Sequence, residues 1–201
     1  MGIFPLHTAL KCSVIVKLVH AMISQATCGS IGKERPMYLF DNVETEPGEP
    51  CGKLVRMELV SSNVAYGPAP KWEDEVKQVL VIESTGRGQL ARYRFGDGFD
   101  EHSLISDQPI TLSQEDAERL IAAAKEMMMA SEQIAMIRDV GIWGLTLKND
   151  EGKIWNTRNS LHSSEHQERL NHHYSTLFRS VLGINDLILF DDMADVAAET
   201  K

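Results

Sequence analysis

Residues 143–155 read WGLTLKNDEGKIW, two runs of alternating residues on either side of an Asn-Asp-Glu-Gly turn. Trp143, Leu145 and Leu147 take alternate positions, so on a pleated strand they share a face, which is expected to pack under helices. Asn149 to Gly152 makes the turn, and the strand pattern resumes at Ile154 and Trp155. This hairpin anchors the fold reading.

Towards the N-terminus, residues 53–60 (KLVRMELV), 76–84 (VKQVLVIES) and 89–95 (QLARYRF) alternate as half-buried strands do. Gly86-Arg87-Gly88 joins the last two as a hairpin turn in which glycine provides positive φ. MYLF at 37–40 is a short strand candidate. The prolines of the next twelve residues, DNVETEPGEPCG, keep them out of a helix. Residues 61–74 contain Gly67-Pro68-Ala69-Pro70 and read as a loop, and Phe95 to Asp100 reads as a turn.

The clearest helix is predicted over 113–131. Ser113 can cap it, Glu115 and Asp116 favour its positive end, and Ala117, Leu120, Ile121, Ala124, Met127 and Met128 form one stripe. A second helix begins near Ser164, with Gln167 in the capping-box position. Leu170, Tyr174, Leu177, Phe178, Val181 and Leu182 line its buried side, and Gly183 stops it. Residues 187–190 read as a last short strand, and the acidic, alanine-rich tail over 193–201 is expected to fray.

Strands in succession, a helix, strands again and a second helix argue for an α+β fold with an antiparallel sheet of about five to seven strands packed on two helices. The 201 residues suffice for one core, and a 43% hydrophobic, 24% charged composition is that of a globular chain. A net charge of −9 disfavours nucleic acid, which calls for a cationic footprint.

Residues 1–36 form an N-terminal extension of different character, with Lys11, Lys17, Lys33 and Arg35 against the single acid Glu34. Residues 10–23 are apolar-rich and Cys28-Gly29-Ser30 follows, the order of a leader or lipoprotein signal. Lys17 and His20 interrupt the run, and it is too short and polar to span a bilayer. Leu10, Val14, Leu18, Ala21 and Gln25 also fit a helix with one packing face. A third reading starts translation at Met22 or Met37. The single α+β domain is expected over 37–192. Cys12, Cys28 and Cys51 form no CxxC and no zinc spacing, which fits reduced thiols in a cytoplasm.

Chemical motifs are sparse. The glycine-rich pieces at 86–88 and 96–98 lead into no helix, so neither is a phosphate loop. Asp97, Asp100 and Glu101 could share a hard cation but lack the ordered ligands of a calcium loop. Four histidines cluster at His162, His166, His172 and His173. His162 and His166 have the i, i+4 spacing of HEXXH, yet Ser163 stands where the glutamate base belongs, and a cap at Ser164 leaves His162 outside the helix. His166 and His173 are seven apart beside the core stripe, where half-buried histidines are common. A metal centre built on His162, His166 and His173, completed by Asp97 or Glu101, is therefore the alternative function. No G-x-S-x-G elbow occurs, and Ser160, Ser163 and Ser164 sit where a cap is needed. Asp191 and Asp192 are adjacent and would point apart on a strand.

The order GIWGLTLKNDEGKIW, NSL, a helix and SVLGINDLILFD, preceded by VLVIESTGRGQLARYRF, resembles the C-terminal part of small bacterial proteins of unknown function, common in low-GC Gram-positive genomes. They share a Trp-x-Leu-x-Leu hairpin and a final Leu-Gly-x-x-Asp-Leu segment. The resemblance spans about residues 37–191 and implies the fold and a bacterial cytoplasm, with no activity to carry over. The expected function is non-enzymatic: an interaction or accessory domain using its sheet face or an exposed edge to bind another protein, without catalytic residues, cofactor or membrane span. An exported lipoprotein is the other localisation considered.

Overall fold

The computed structural model divides into two units, 1–35 and 36–201. It describes residues 45–65, 69–96, 102–131 and 140–191, all in the second unit. The extension, the MYLF segment, Asp97, Asp100, Glu101, Asp192 and the tail from 193 lie outside the described residues.

The fold is α+β. Six strands form one antiparallel sheet: β1 (Leu54–Ala65), β2 (Glu75–Glu83), β3 (Arg87–Arg94), β4 (Ser103–Thr111), β5 (Val140–Asn149) and β6 (Ile154–Ser160), in the order β4-β3-β2-β1-β5-β6. Helix α1 (Gln114–Ala130) follows β4, and α2 (Glu165–Leu182) follows β6.

Register shows why one face is dry. Met57 lies opposite Ile82 and Leu147, and Leu59 opposite Leu80 and Leu145, so apolar side chains form continuous rows across three strands. Leu147 pairs with Trp155 and Trp143 with Asn159, which joins the opening hairpin to these rows, with β6 as the sheet's edge. Its turn is held by Asn149, whose Oδ1 accepts from the Lys153 N–H at 2.9 Å while Nδ2 donates to Cys51 O at 3.1 Å. At Gly86 the φ of 87° meets the demand of the β2–β3 turn, and a Cβ there would collide with Leu112 O.

Both helix starts follow from sequence. Ser113 Oγ accepts from the Asp116 N–H and Ser164 Oγ from the Gln167 N–H. Gly183 ends α2 in the left-handed region at φ 67°. Helix α1 buries Ala117, Leu120, Ile121, Ala124 and Met127 on the sheet. On α2, Tyr174 and Phe178 are buried, while Leu170, Leu177, Val181 and Leu182 pack at its margin.

Residues 187–190 are not a strand. All four are buried, yet they make no sheet ladder because they cross the strands instead of running along them. The Ile188 N–H donates to Gln78 Oε1 on β2 at 2.9 Å, and Leu189 O accepts from Ser61 Oγ on β1 at 2.5 Å. Phe190 meets the edge of Trp143 on β5 at 5.1 Å. From above, α2 supplies Arg179, whose Nε and Nη2 donate to Leu187 O, and Ser175, whose Oγ accepts the Phe190 and Asp191 N–H groups. Side chains thus satisfy a buried backbone that no neighbouring strand reaches. Two further departures are β1, which runs on to Ala65 through part of the 61–74 stretch expected as loop because β2 and β5 pair with it there, and β4, since SLISDQPIT shows little alternation and carries Asp107 and Pro109.

Candidate interaction corner

The histidines stand apart from one another in role. His162, His166, His172 and His173 are all exposed, so the half-buried placement expected of His166 and His173 is corrected. At the core boundary the buried polar positions go instead to Gln167 and Asn171, which bond each other at 2.9 Å, with Asn171 Nδ2 donating to Leu161 O. An amide can satisfy backbone carbonyls from inside the helix face without the charge an imidazole risks. His162 lies outside α2, as its cap requires, with Nδ1 3.7 Å from a Glu168 carboxylate oxygen. His173 stacks edge-on with Tyr174 at 5.1 Å. Among the described residues no group of three His, Cys, Asp or Glu side chains is arranged to hold a metal ion.

Tyr174 itself is a perturbed phenol. Burial pushes its pKa up, and the Glu126 carboxylate accepting its hydroxyl at 3.4 Å pushes the same way.

Ser175, His172 and Asp191 gather on α2 and on the crossing segment 186–191, the strap, but in a structural role. The Asp191 carboxylate holds Arg179 through both oxygens, at 2.7 and 3.3 Å, and lies 3.4 Å from His172 Nδ1. Ser175 is fully buried and its oxygen accepts two backbone N–H groups, so it meets no substrate. A second cluster joins strap to sheet: Arg92 donates to Asp186 at 2.8 and 2.9 Å and to Glu75 at 3.2 Å. The Arg92 hydrogen bonds hold the Asp186 carboxyl below the usual carboxylate range.

The two ends of the sheet differ. One end has the tight β2–β3 and β5–β6 turns. That end has one register break, at Leu54/Arg56, whereas the other has three, at Ser62/Ala65, Glu75/Lys77 and Arg92/Tyr93. Bulges bend and twist strands and are frequent beside functional sites. At that end the β1–β2 loop is stitched to the end of β3, with the Gly96 N–H donating to Trp72 O at 3.0 Å and the Phe95 N–H to Asp74 O at 2.9 Å.

Three of the four exposed large apolar side chains among the described residues sit at this corner: Trp72 at 59%, Leu104 at 48% and Ile105 at 48% exposure. Sequence reading passed over all three, because Trp72 lay in a Pro/Gly loop and β4 had no strand signature. Arg94 lies over the Trp72 ring with its guanidinium carbon 4.6 Å from the centroid. Its neighbour in the register, Glu75, turns to Arg92 and Gln78 instead. On the outer face beside it, Lys77 lies 5.0 Å from the Tyr93 ring.

The β4 edge is more open than the β6 edge. Six of its nine residues are exposed, whereas Trp155, Asn159 and Ser160 of β6 are buried and Ile154 O accepts the Glu46 N–H. That openness does not make β4 a strand-pairing template. Ile105 is the extra residue of the bulge, Pro109 lacks a donor and Asp107 adds a charge, three devices that discourage edge pairing. The corner is suited to contacts by side chains.

Among the described residues no helix is long and apolar enough to cross a membrane. Comparison with family models and with curated proteins finds no match.

Proposed function

We propose that this protein is a non-enzymatic interaction or accessory domain that binds another protein through the corner built from Trp72, Arg94, Leu104 and Ile105. The observation that carries the reading is that the bulged end of the sheet exposes Trp72, Leu104 and Ile105, with Arg94 over the Trp72 ring. Tryptophan and arginine are the residues that most often dominate binding energy at protein interfaces. An apolar group that leaves water on association also gains about 25 cal/mol per Å². Elsewhere the polar clusters are spent on holding the strap, which supports a role in binding over one in catalysis. The free Cys51 supports a reducing cytoplasm, in keeping with the resemblance of the hairpin, α2 and strap sequences to bacterial proteins.

Site-specific photocrosslinking in the source cells tests this reading. A photoreactive residue at position 72 or 105 is expected to trap a discrete protein that the same residue at Arg119, exposed on α1, does not. Equal trapping from all three positions, or none from 72 and 105, refutes it.

A further inference from the structure

We infer that the corner selects a partner segment carrying a carboxylate beside an aliphatic side chain, the carboxylate being taken by Arg94; this rests on the interaction reading above. Three arginines on or beside this face show the contrast. Arg92 is saturated by Glu75 and Asp186, and Arg179 by Asp191 and Leu187 O. Arg94 makes only the ring contact with Trp72 among the described residues, and its Nε is buried without an acceptor.

The Trp72 ring, 4.6 Å from the Arg94 guanidinium carbon, offers the guanidinium no hydrogen-bond acceptor of carboxylate strength. Nε is shielded, so the terminal nitrogens are the ones a ligand reaches. Their spacing matches the two oxygens of a carboxylate, and such paired bonds are stronger than neutral ones. Trp72 makes that ring contact, and Leu104 and Ile105 are exposed on the adjoining strand, Leu104 opposite Tyr93, where they suit an aliphatic neighbour of that carboxylate.

The chain's overall charge of −9 opposes an acidic partner only weakly, because at physiological salt the field of charges more than about 8 Å away is largely screened. Of the described acids on the same loop, Asp74 accepts the Lys71 N–H and Glu75 faces Arg92, which leaves Glu73 as the nearby competitor among the described residues. An arginine without an acid partner among the described residues, with an unmet Nε donor beside exposed apolar side chains, is what carries anion recognition at this surface.

Selection of random phage-displayed peptides on the full chain tests the inference. Enriched peptides are expected to carry Asp or Glu next to Leu, Ile or Val, to weaken with added salt, and to lose roughly tenfold or more in affinity with Arg94→Gln. Arg94→Lys is expected to recover only part of the loss, since it keeps the charge without the fork. Arg94→Glu is expected to turn the selection towards Lys and Arg, a gain that a merely unfolded variant cannot produce. Binders without acidic residues, binders indifferent to Arg94→Gln, or no binders at all overturn the inference. Trapping from positions 72 and 105 that survives Arg94→Gln leaves the interaction reading standing while this one fails.

Discussion

Phe190→Ala measures whether the strap is part of the core or a tail laid upon it. Phe190 is fully buried, with its ring edge-to-face on Trp143 at 5.1 Å and on Phe178 at 5.6 Å. Removing a buried phenylalanine costs about 3–5 kcal/mol in lost transfer energy and cavity. Two aromatic pairs worth about 0.5–1.5 kcal/mol each fall within that sum and push it towards the upper half. The expected loss is about 4 kcal/mol, a large share of the roughly 5–15 kcal/mol that a domain possesses. Urea unfolding followed by tryptophan fluorescence would read it as a midpoint lowered by about 2 M at unchanged slope. Amide exchange should then rise in β1, β2 and β5 together, because the strap touches all three. Phe190→Leu, which keeps most of the volume, is expected to lose less than about 1.5 kcal/mol and remain folded. A loss below about 1 kcal/mol for the alanine variant, with faster exchange confined to 187–191, would show the strap to be dispensable and refute the reasoning.

Gly141→Ala is expected to destabilise by about 2 kcal/mol or more in thermal or urea unfolding. Its φ is 77° and a Cβ would meet Ser62 O at 2.8 Å and Leu161 Cδ1 at 2.7 Å, so strain and overlap act together. Asp186→Asn should make stability less dependent on acid. The Asp186 carboxyl is held below its ordinary range by Arg92, so its contribution is present above the ordinary carboxylate range and lost as pH falls through the depressed value. Wild type should exceed the variant by no more than about 1 kcal/mol at neutral pH, given the exposure of Asp186, with the gap closing on acidification; a gap constant with pH would refute the pairing. His166→Ala with His173→Ala is expected to change stability by less than about 0.5 kcal/mol, both side chains being exposed. Stoichiometric zinc in protein purified without a tag, abolished by that pair, would replace the interaction reading with the metal-centre alternative.

Much of the fold is legible in the chain because its signals are local. Ser113, Ser164, Gly183, Gly86 and Gly152 each act on backbone within a few residues, and the period of Trp143, Leu145 and Leu147 needs only a strand to take effect. The β4 strand escapes such reading since its neighbour β3 imposes the extended form on SLISDQPIT through pairing, against the preference of Asp107 and Pro109. The histidines misled for the opposite reason. Periodicity placed them near a core boundary, but it cannot say whether Asn171 and Gln167 already occupy the buried polar positions there.

By itself, then, the sequence determined the α+β class, the β5–β6 hairpin, and both helices with their caps. These rest on local propensity and short-range periodicity, which operate before distant parts of the chain meet. Only the tertiary structure decided that residues 187–190 cross β2, β1 and β5 as a buried strap, since Gln78, Ser61 and Arg179 reach its backbone only after the sheet and α2 have assembled. It also decided that Trp72, Arg94, Leu104 and Ile105, from three separate segments, share one corner. Contacts between residues far apart in the chain depend on register and bulges, and those are settled by the packing of the whole.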